Sequence, residues 1–120
     1  MKILVVDDSK AMRMIVTRCL RQAGFAGLSV IEATNGREGF DAVHEHHPDL
    51  VLSDWNMPEV NGLEMLQQLN RAGTPVKFGF VTSEGSSEMR QIAADNGALF
   101  LIAKPFNADT FKDVLAPVMA

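Results

Sequence analysis

Ile3-Leu4-Val5-Val6, followed at once by Asp7-Asp8, is the stretch on which the fold turns. Four apolar residues without polar alternation suit a strand buried on both faces, as in a parallel sheet covered by helices on each side. The two carboxylates then stand at the strand's carboxyl end, where sheets of this kind bind their ligands. Outward from this point, short apolar runs alternate with segments of helical period in five pairs, the pattern of strands joined by crossover helices. The expected architecture is α/β, a doubly wound five-stranded parallel sheet flanked by five helices.

Ser9 caps a first helix with Ala11, Met12, Ile15, Val16, Cys19, Leu20 and Ala23 on its inner face and Arg13, Thr17, Arg18 and Arg21 on the other, and Gly24 stops it. Ser29 to Ala33 is a strand of mixed polarity, expected near an edge, and Asn35 caps a helix over Gly36 to His46. Leu50 to Ser53 is the most apolar strand after the first, expected beside it at the centre, and ends at Asp54. A loop over Trp55 to Asn61 leads into a helix with Leu63, Leu66 and Leu69 inward. Val76 to Val81 is the fourth strand and ends at Thr82. Gly79 inside it marks the close approach of another group. A helix over Ser86 to Asn96 precedes the fifth strand, Leu99 to Ala103, which ends at Lys104. Asn107 caps the last helix, with Phe111, Val114, Leu115 and Val118 inward.

The 120 residues, 47% hydrophobic and 22% charged, suffice for one core and leave little room for a second domain, so a single domain is expected. Fifteen acidic against 11 basic side chains leave a net charge of −4, the wrong sign for nonspecific nucleic-acid binding, so no DNA partner is expected. The single Cys19 cannot form an internal disulfide and sits on the buried stripe of its helix, where an inert thiol is expected. The start meets charge after four apolar residues and reads as neither signal peptide nor membrane span, so the expected localisation is cytoplasmic without membrane insertion. His44, His46 and His47 crowd one helix end with no carboxylate or cysteine framework and are read as solvated surface. Met14 lies with Arg13, Arg18 and Arg21 in a mixed patch that suits plain surface and kinase docking equally.

Asp7, Asp8 and Asp54 put three carboxylates into one crevice, an arrangement that repels itself unless a cation neutralises it. Oxygen-only ligands favour Mg²⁺, which retains waters and leaves a position for a phosphate oxygen. Thr82 adds a hydroxyl and Lys104 a fixed positive charge, donors for the other oxygens of a phosphoryl group. Asp54 alone ends a central strand with ligands on both flanks, so its carboxylate is the expected nucleophile.

Val5-Val6-Asp7-Asp8-Ser9, Ser53-Asp54-Trp55-Asn56-Met57-Pro58, Asn61-Gly62, Val81-Thr82-Ser83 and Lys104-Pro105-Phe106 follow one another in an order that resembles the response-regulator receiver domains of two-component signalling, most closely the single-domain chemotaxis members. The resemblance implies a flavodoxin-like sheet of strand order 2-1-3-4-5. It implies phosphorylation of Asp54 by a histidine kinase or phosphotransfer protein, and Mg²⁺ held by Asp7, Asp8, Asp54 and the backbone carbonyl of Asn56. Thr82 and Lys104 would contact the phosphate, and the small Ser83 would leave it access. Such a protein is not an enzyme in its own right but a switch that assists its own phosphorylation and dephosphorylation. A single receiver domain over residues 1–120, with no output domain, would act by binding a downstream protein, in chemotaxis or another output, or by passing the phosphate on in a relay. The Lys104-Pro105 bond is expected to be cis.

One position departs from that pattern. Three residues before Lys104, where an aromatic switch usually stands, this chain has Leu101, and its aromatic neighbour Phe100 is expected on the opposite, core side. Altered coupling to output is therefore expected. Asn56 and Glu84, two beyond Asp54 and Thr82, flank the water path as in rapid chemotaxis members, which implies a short-lived phosphate. Three other readings bear on the same residues. A phosphate-independent receiver-like scaffold would keep the fold without the chemistry, and the complete site argues against it. A small haloacid-dehalogenase-type phosphatase would put its nucleophile at the end of the first strand and would need a cap for which the chain has no room. A flavin or nucleotide carrier would need a glycine-rich turn that Asp8-Ser9-Lys10 lacks.

Overall fold

The computed structural model describes residues 1–25 and 27–119. In chain order it contains β1 (Lys2–Val6), α1 (Lys10–Gln22), β2 (Ser29–Ala33), α2 (Gly36–His46), β3 (Leu50–Ser53), α3 (Gly62–Arg71), β4 (Lys77–Thr82), α4 (Ser87–Asp95), β5 (Leu101–Ala103) and α5 (Ala108–Met119). All strand pairings are parallel, in the order β2-β1-β3-β4-β5. The apolar β1 and β3 are adjacent in the interior, and the mixed β2 is an edge, as their polarity requires.

Alternate residues of each strand face opposite sides, which divides the core in two. Leu4, Val6, Val51, Phe78, Phe80 and Leu101 pack with Val43, Met65, Leu66 and Ala93 of α2, α3 and α4. Ile3, Val5, Leu50, Leu52, Val81 and Ile102 pack with Val16, Leu20, Phe111 and Leu115 of α1 and α5. Helix starts are set by side-chain caps. Ser9 accepts from Met12 N at 3.2 Å, Asn35 from Glu38 N at 2.9 Å, and Asn107 from Thr110 N at 3.0 Å. Asn61 and Glu64 form a reciprocal capping box at α3.

Three details differ from the periodicity reading. Ala11 and Ile15, expected inward, are exposed, Ile15 to 43%, because the stripe of α1 that meets the sheet is Val16, Cys19 and Leu20, and Ile15 lies about a quarter turn and Ala11 farther still from its centre. β4 begins at Lys77 and includes Thr82, so the threonine is part of the sheet. β5 begins at Leu101: Leu99 N and Phe100 O still bond to β4, at 2.8 and 3.1 Å, but the Leu99 side chain is 52% exposed. Gly79 meets the group its position foretold, since a Cβ there would collide with the ring of Phe100. His44 is more engaged than a solvated residue, with Nε2 2.8 Å from the Thr74 hydroxyl.

Candidate functional site

Parallel strands deliver their carboxyl ends to one edge of the sheet, so residues far apart in sequence converge there. Val6 is in register with Ala33 on one side and Ser53 on the other, which brings Asp7 and Asp54 level. Thr82 is level with Ala103, so Lys104 follows directly beside it, its backbone N–H bonded to the Thr82 carbonyl at 3.1 Å. The result is a cavity of about 140 Å³ lined by Asp7, Asp8, Asp54, Thr82, Ser83 and Lys104, with Ser9 and Met12 closing the α1 side. The Lys104-Pro105 peptide bond is cis.

Asp7 is held from every side. Its N–H donates to Ala33 O at 3.1 Å, its Oδ1 accepts Ser9 N–H at 2.8 Å, and its carbonyl accepts Arg13 Nη1 at 2.7 Å. Burial, at 6% exposure, raises its carboxyl from 3.8 to about 6; the Ser9 N–H opposes this, and the charges of Asp54 and Asp8 add to it. Asp54 is anchored through its N–H to Val6 O at 2.9 Å and through Oδ1 to Trp55 N–H at 2.7 Å. Burial also raises the Asp54 carboxyl; the Trp55 N–H opposes this, Asp8 adds to it, and the Asn56 N–H and Thr82 hydroxyl lower it. The lowering contacts are donors that stabilise a carboxylate oxygen in a defined orientation, while a cation would cancel the like-charge repulsion and offset the cost of burial.

Carboxylate oxygens of Asp7, Asp8 and Asp54 lie within 4.8 Å of one another, and no other group of three such ligand residues occurs among the described residues. An all-oxygen, partly buried set whose members repel one another fits a hard divalent cation such as Mg²⁺.

Behind Asp54 the packing has no slack. A Cβ at Gly62 would collide with the Asp54 carbonyl and come within 3.0 Å of the Phe80 ring and Ser53 Oγ. Trp55 stacks on Phe80 with ring centroids 4.7 Å apart. Asn56 and Glu84 are exposed beside the site and do not line the cavity, although Glu84 N–H reaches the Thr82 hydroxyl at 3.3 Å. Leu101 is not outward: at 8% exposure it fills the α4 side of β5, while Phe100 packs toward α1 and α5 as expected.

Two arginines of surface helices also belong to this region. Arg13, expected in the surface patch of Met14, Arg18 and Arg21, has a side chain only 12% exposed, turned to the Asp7 carbonyl and paired with Glu32 at 2.8 Å. Arg90 of α4 donates from Nη1 to the Leu101 carbonyl at 2.9 Å and from Nε to the Gly85 carbonyl at 3.3 Å. Neither is visible from periodicity, because a guanidinium on a polar helix face satisfies backbone carbonyls of strands and loops as readily as water.

The fold and the strand-end carboxylates define a receiver of the two-component type. Residues 3–116 match the model of the response regulator receiver domain, and the chain belongs to that family. It is 36% identical over 108 residues to the chemotaxis protein CheY of Bacillus subtilis, covering 90% of this chain and 88% of that protein. It is 32% identical over 114 residues to sporulation initiation phosphotransferase F of the same organism, covering 95% and 90%. The crystal structure of chemotaxis protein CheY4 of Vibrio cholerae superposes with a TM-score of 0.84 at 32% identity, covering 98% of this chain and 97% of that one. Receiver domains of this family typically bind Mg²⁺ and work with a kinase or phosphotransfer partner. No helix among the described residues is long and apolar enough to cross a membrane.

Proposed function

We propose that this receiver accepts a phosphoryl group on Asp54 from the phosphohistidine of a histidine kinase or phosphotransfer protein, and that the modified form binds a protein target. The observation that carries this reading is the meeting of Asp54 with two further carboxylates, a hydroxyl and a lysine around one cavity. In the transfer a carboxylate oxygen of Asp54 bonds to phosphorus in line with the departing imidazole nitrogen, the N–P bond breaks, and the imidazole retains its electron pair and takes up a proton. Asp7, Asp8, Asp54 and the backbone carbonyl of Asn56 would hold Mg²⁺, which supplies charge neutralisation for the phosphoryl oxygens. Thr82 and Lys104 donate to the remaining oxygens, as geometry and charge suit them to do. Ser83, at the cavity wall, is small enough to leave the phosphorus open to attack.

Exposed Asn56 and Glu84 beside the cavity suit a brief phosphorylated state, because neither closes the path of water to the acyl phosphate. With Leu101 buried against α4 in place of an aromatic ring, output follows a shift of packing at β4, β5 and α4. Relatives named for chemotaxis support a chemotaxis output.

The test is intact mass after incubation with a small-molecule phosphodonor, with and without Mg²⁺, for the wild type and Asp54→Asn. Uptake of one phosphoryl group that needs both Mg²⁺ and Asp54 is expected. No uptake by folded wild-type protein overturns the reading in favour of a phosphate-independent scaffold.

A further inference from the structure

Resting on the receiver reading, we infer that Arg13 is a positioning residue for the metal-binding aspartates, acting through the backbone of Asp7. Arginine on the polar face of a surface helix ordinarily extends into water. Arg13 instead keeps its side chain 12% exposed and spends two donors, Nη1 on the Asp7 carbonyl at 2.7 Å and Nε on Glu32 of β2 at 2.8 Å. The Asp7 carbonyl belongs to the peptide joining Asp7 to Asp8, so anchoring it orients the plane from which the Asp8 side chain departs.

The other attachments of Asp7 leave this one free to vary. The Ala33 carbonyl holds its N–H and the Ser9 N–H holds its carboxylate. Without Arg13, nothing among the described residues holds the Asp7 carbonyl, and Asp8, exposed at the start of the loop, loses its fixed bearing. Arginine suits the task because its planar fork reaches a carbonyl and a carboxylate together. Glu32 balances the guanidinium, so that a positive charge beside the site does not oppose a cation. Polar groups that orient ligands from behind commonly change metal affinity by 10–100-fold when removed.

The test is Mg²⁺ titration of the phosphate-free protein, read by the fluorescence of Trp55, the only tryptophan of the chain, whose backbone N–H donates to Asp54 Oδ1. Arg13→Met is expected to raise the Mg²⁺ dissociation constant about tenfold, and Arg13→Lys, which keeps one donor for the carbonyl but loses the fork that also reaches Glu32, to restore only part of the affinity. Melting in EDTA serves as the control, since a merely structural residue lowers the melting temperature without a selective effect on Mg²⁺. Wild-type affinity in folded Arg13→Met overturns the inference. If Arg13→Met does not fold, Glu32→Gln at its exposed site decides, titrated in about 1 M KCl so that the lost charge is screened: Mg²⁺ binding still weaker than wild type supports the inference and equal binding overturns it. A wild-type protein that takes up no Mg²⁺ overturns the Mg²⁺-dependent function proposed above, and the inference with it.

Discussion

The ring of Phe100 lies against the backbone of Gly79, in the space where any other residue would carry its Cβ. The contact joins β4 to the residue just before β5 on the side covered by α1 and α5, and Phe80 N bonds to Phe100 O at 3.1 Å beside it. It also determines the orientation of Leu101, because neighbouring strand residues face opposite sides. Gly79→Ala is expected to destabilise the protein by about 1–3 kcal/mol through overpacking. Replacing Phe100 with Leu in the same chain is expected to recover much of the loss. Urea denaturation of the single and double variants measures this, and additive losses would show that the two residues do not compete for one space.

Burial holds the Asp7 carboxyl at about 6, with the Ser9 N–H opposing and the charges of Asp54 and Asp8 adding. A carboxyl that binds its proton more tightly folded than unfolded contributes stability below the unfolded value of 3.8, and that contribution is lost as pH rises through about 6. In EDTA at pH 7, Asp7→Asn is therefore expected to be more stable than wild type by on the order of 1–3 kcal/mol. The advantage should vanish near pH 4. Denaturation curves at the two pH values check both halves, and a variant no more stable at pH 7 would contradict the electrostatic account.

Gly62→Ala sets a methyl group against the Asp54 carbonyl, Phe80 and Ser53. Since this backbone presents the carboxylate, the substitution is expected to cost about 1–3 kcal/mol and to slow phosphoryl uptake at Asp54 by at least tenfold, as small misplacements of a reacting group do. The rate is read by mass against time with a small phosphodonor. A full rate in a destabilised variant would show that the site adjusts independently of α3.

Arg90 spans the Gly85 and Leu101 carbonyls and so ties the loop after Thr82 to β5. Arg90→Ala is expected to cost about 1 kcal/mol and to speed amide exchange in residues 83–86 more than in β1 or β3. Uniform acceleration across the sheet would mean that Arg90 stabilises the fold without securing that loop.

Much of the molecule was legible in one dimension, for reasons these residues make plain. Ile3–Val6 and Leu50–Ser53 are buried on both faces, so their burial is written as unbroken apolar runs. Crossover connections make all five strands parallel, so the residues at their carboxyl ends must arrive at the same edge. That is why Asp7, Asp54, Thr82 and Lys104 could be grouped from sequence and are found around one cavity. Gly79 announced a close approach without naming the partner, since nothing in its neighbourhood in the chain points to Phe100.

The sequence by itself determined the order of elements, the strand ends and the chemical character of what gathers there, because backbone periodicity and crossover handedness are local and directional. Only the tertiary structure decided that Ile15 faces solvent, that Leu101 is buried against α4, and that Arg13 and Arg90 turn from helix faces to backbone carbonyls. Each of those outcomes is a competition between water and partners brought in by other elements, such as Glu32 for Arg13 or Phe100 against Gly79. Such competitions are settled by distances that exist only once the sheet has formed.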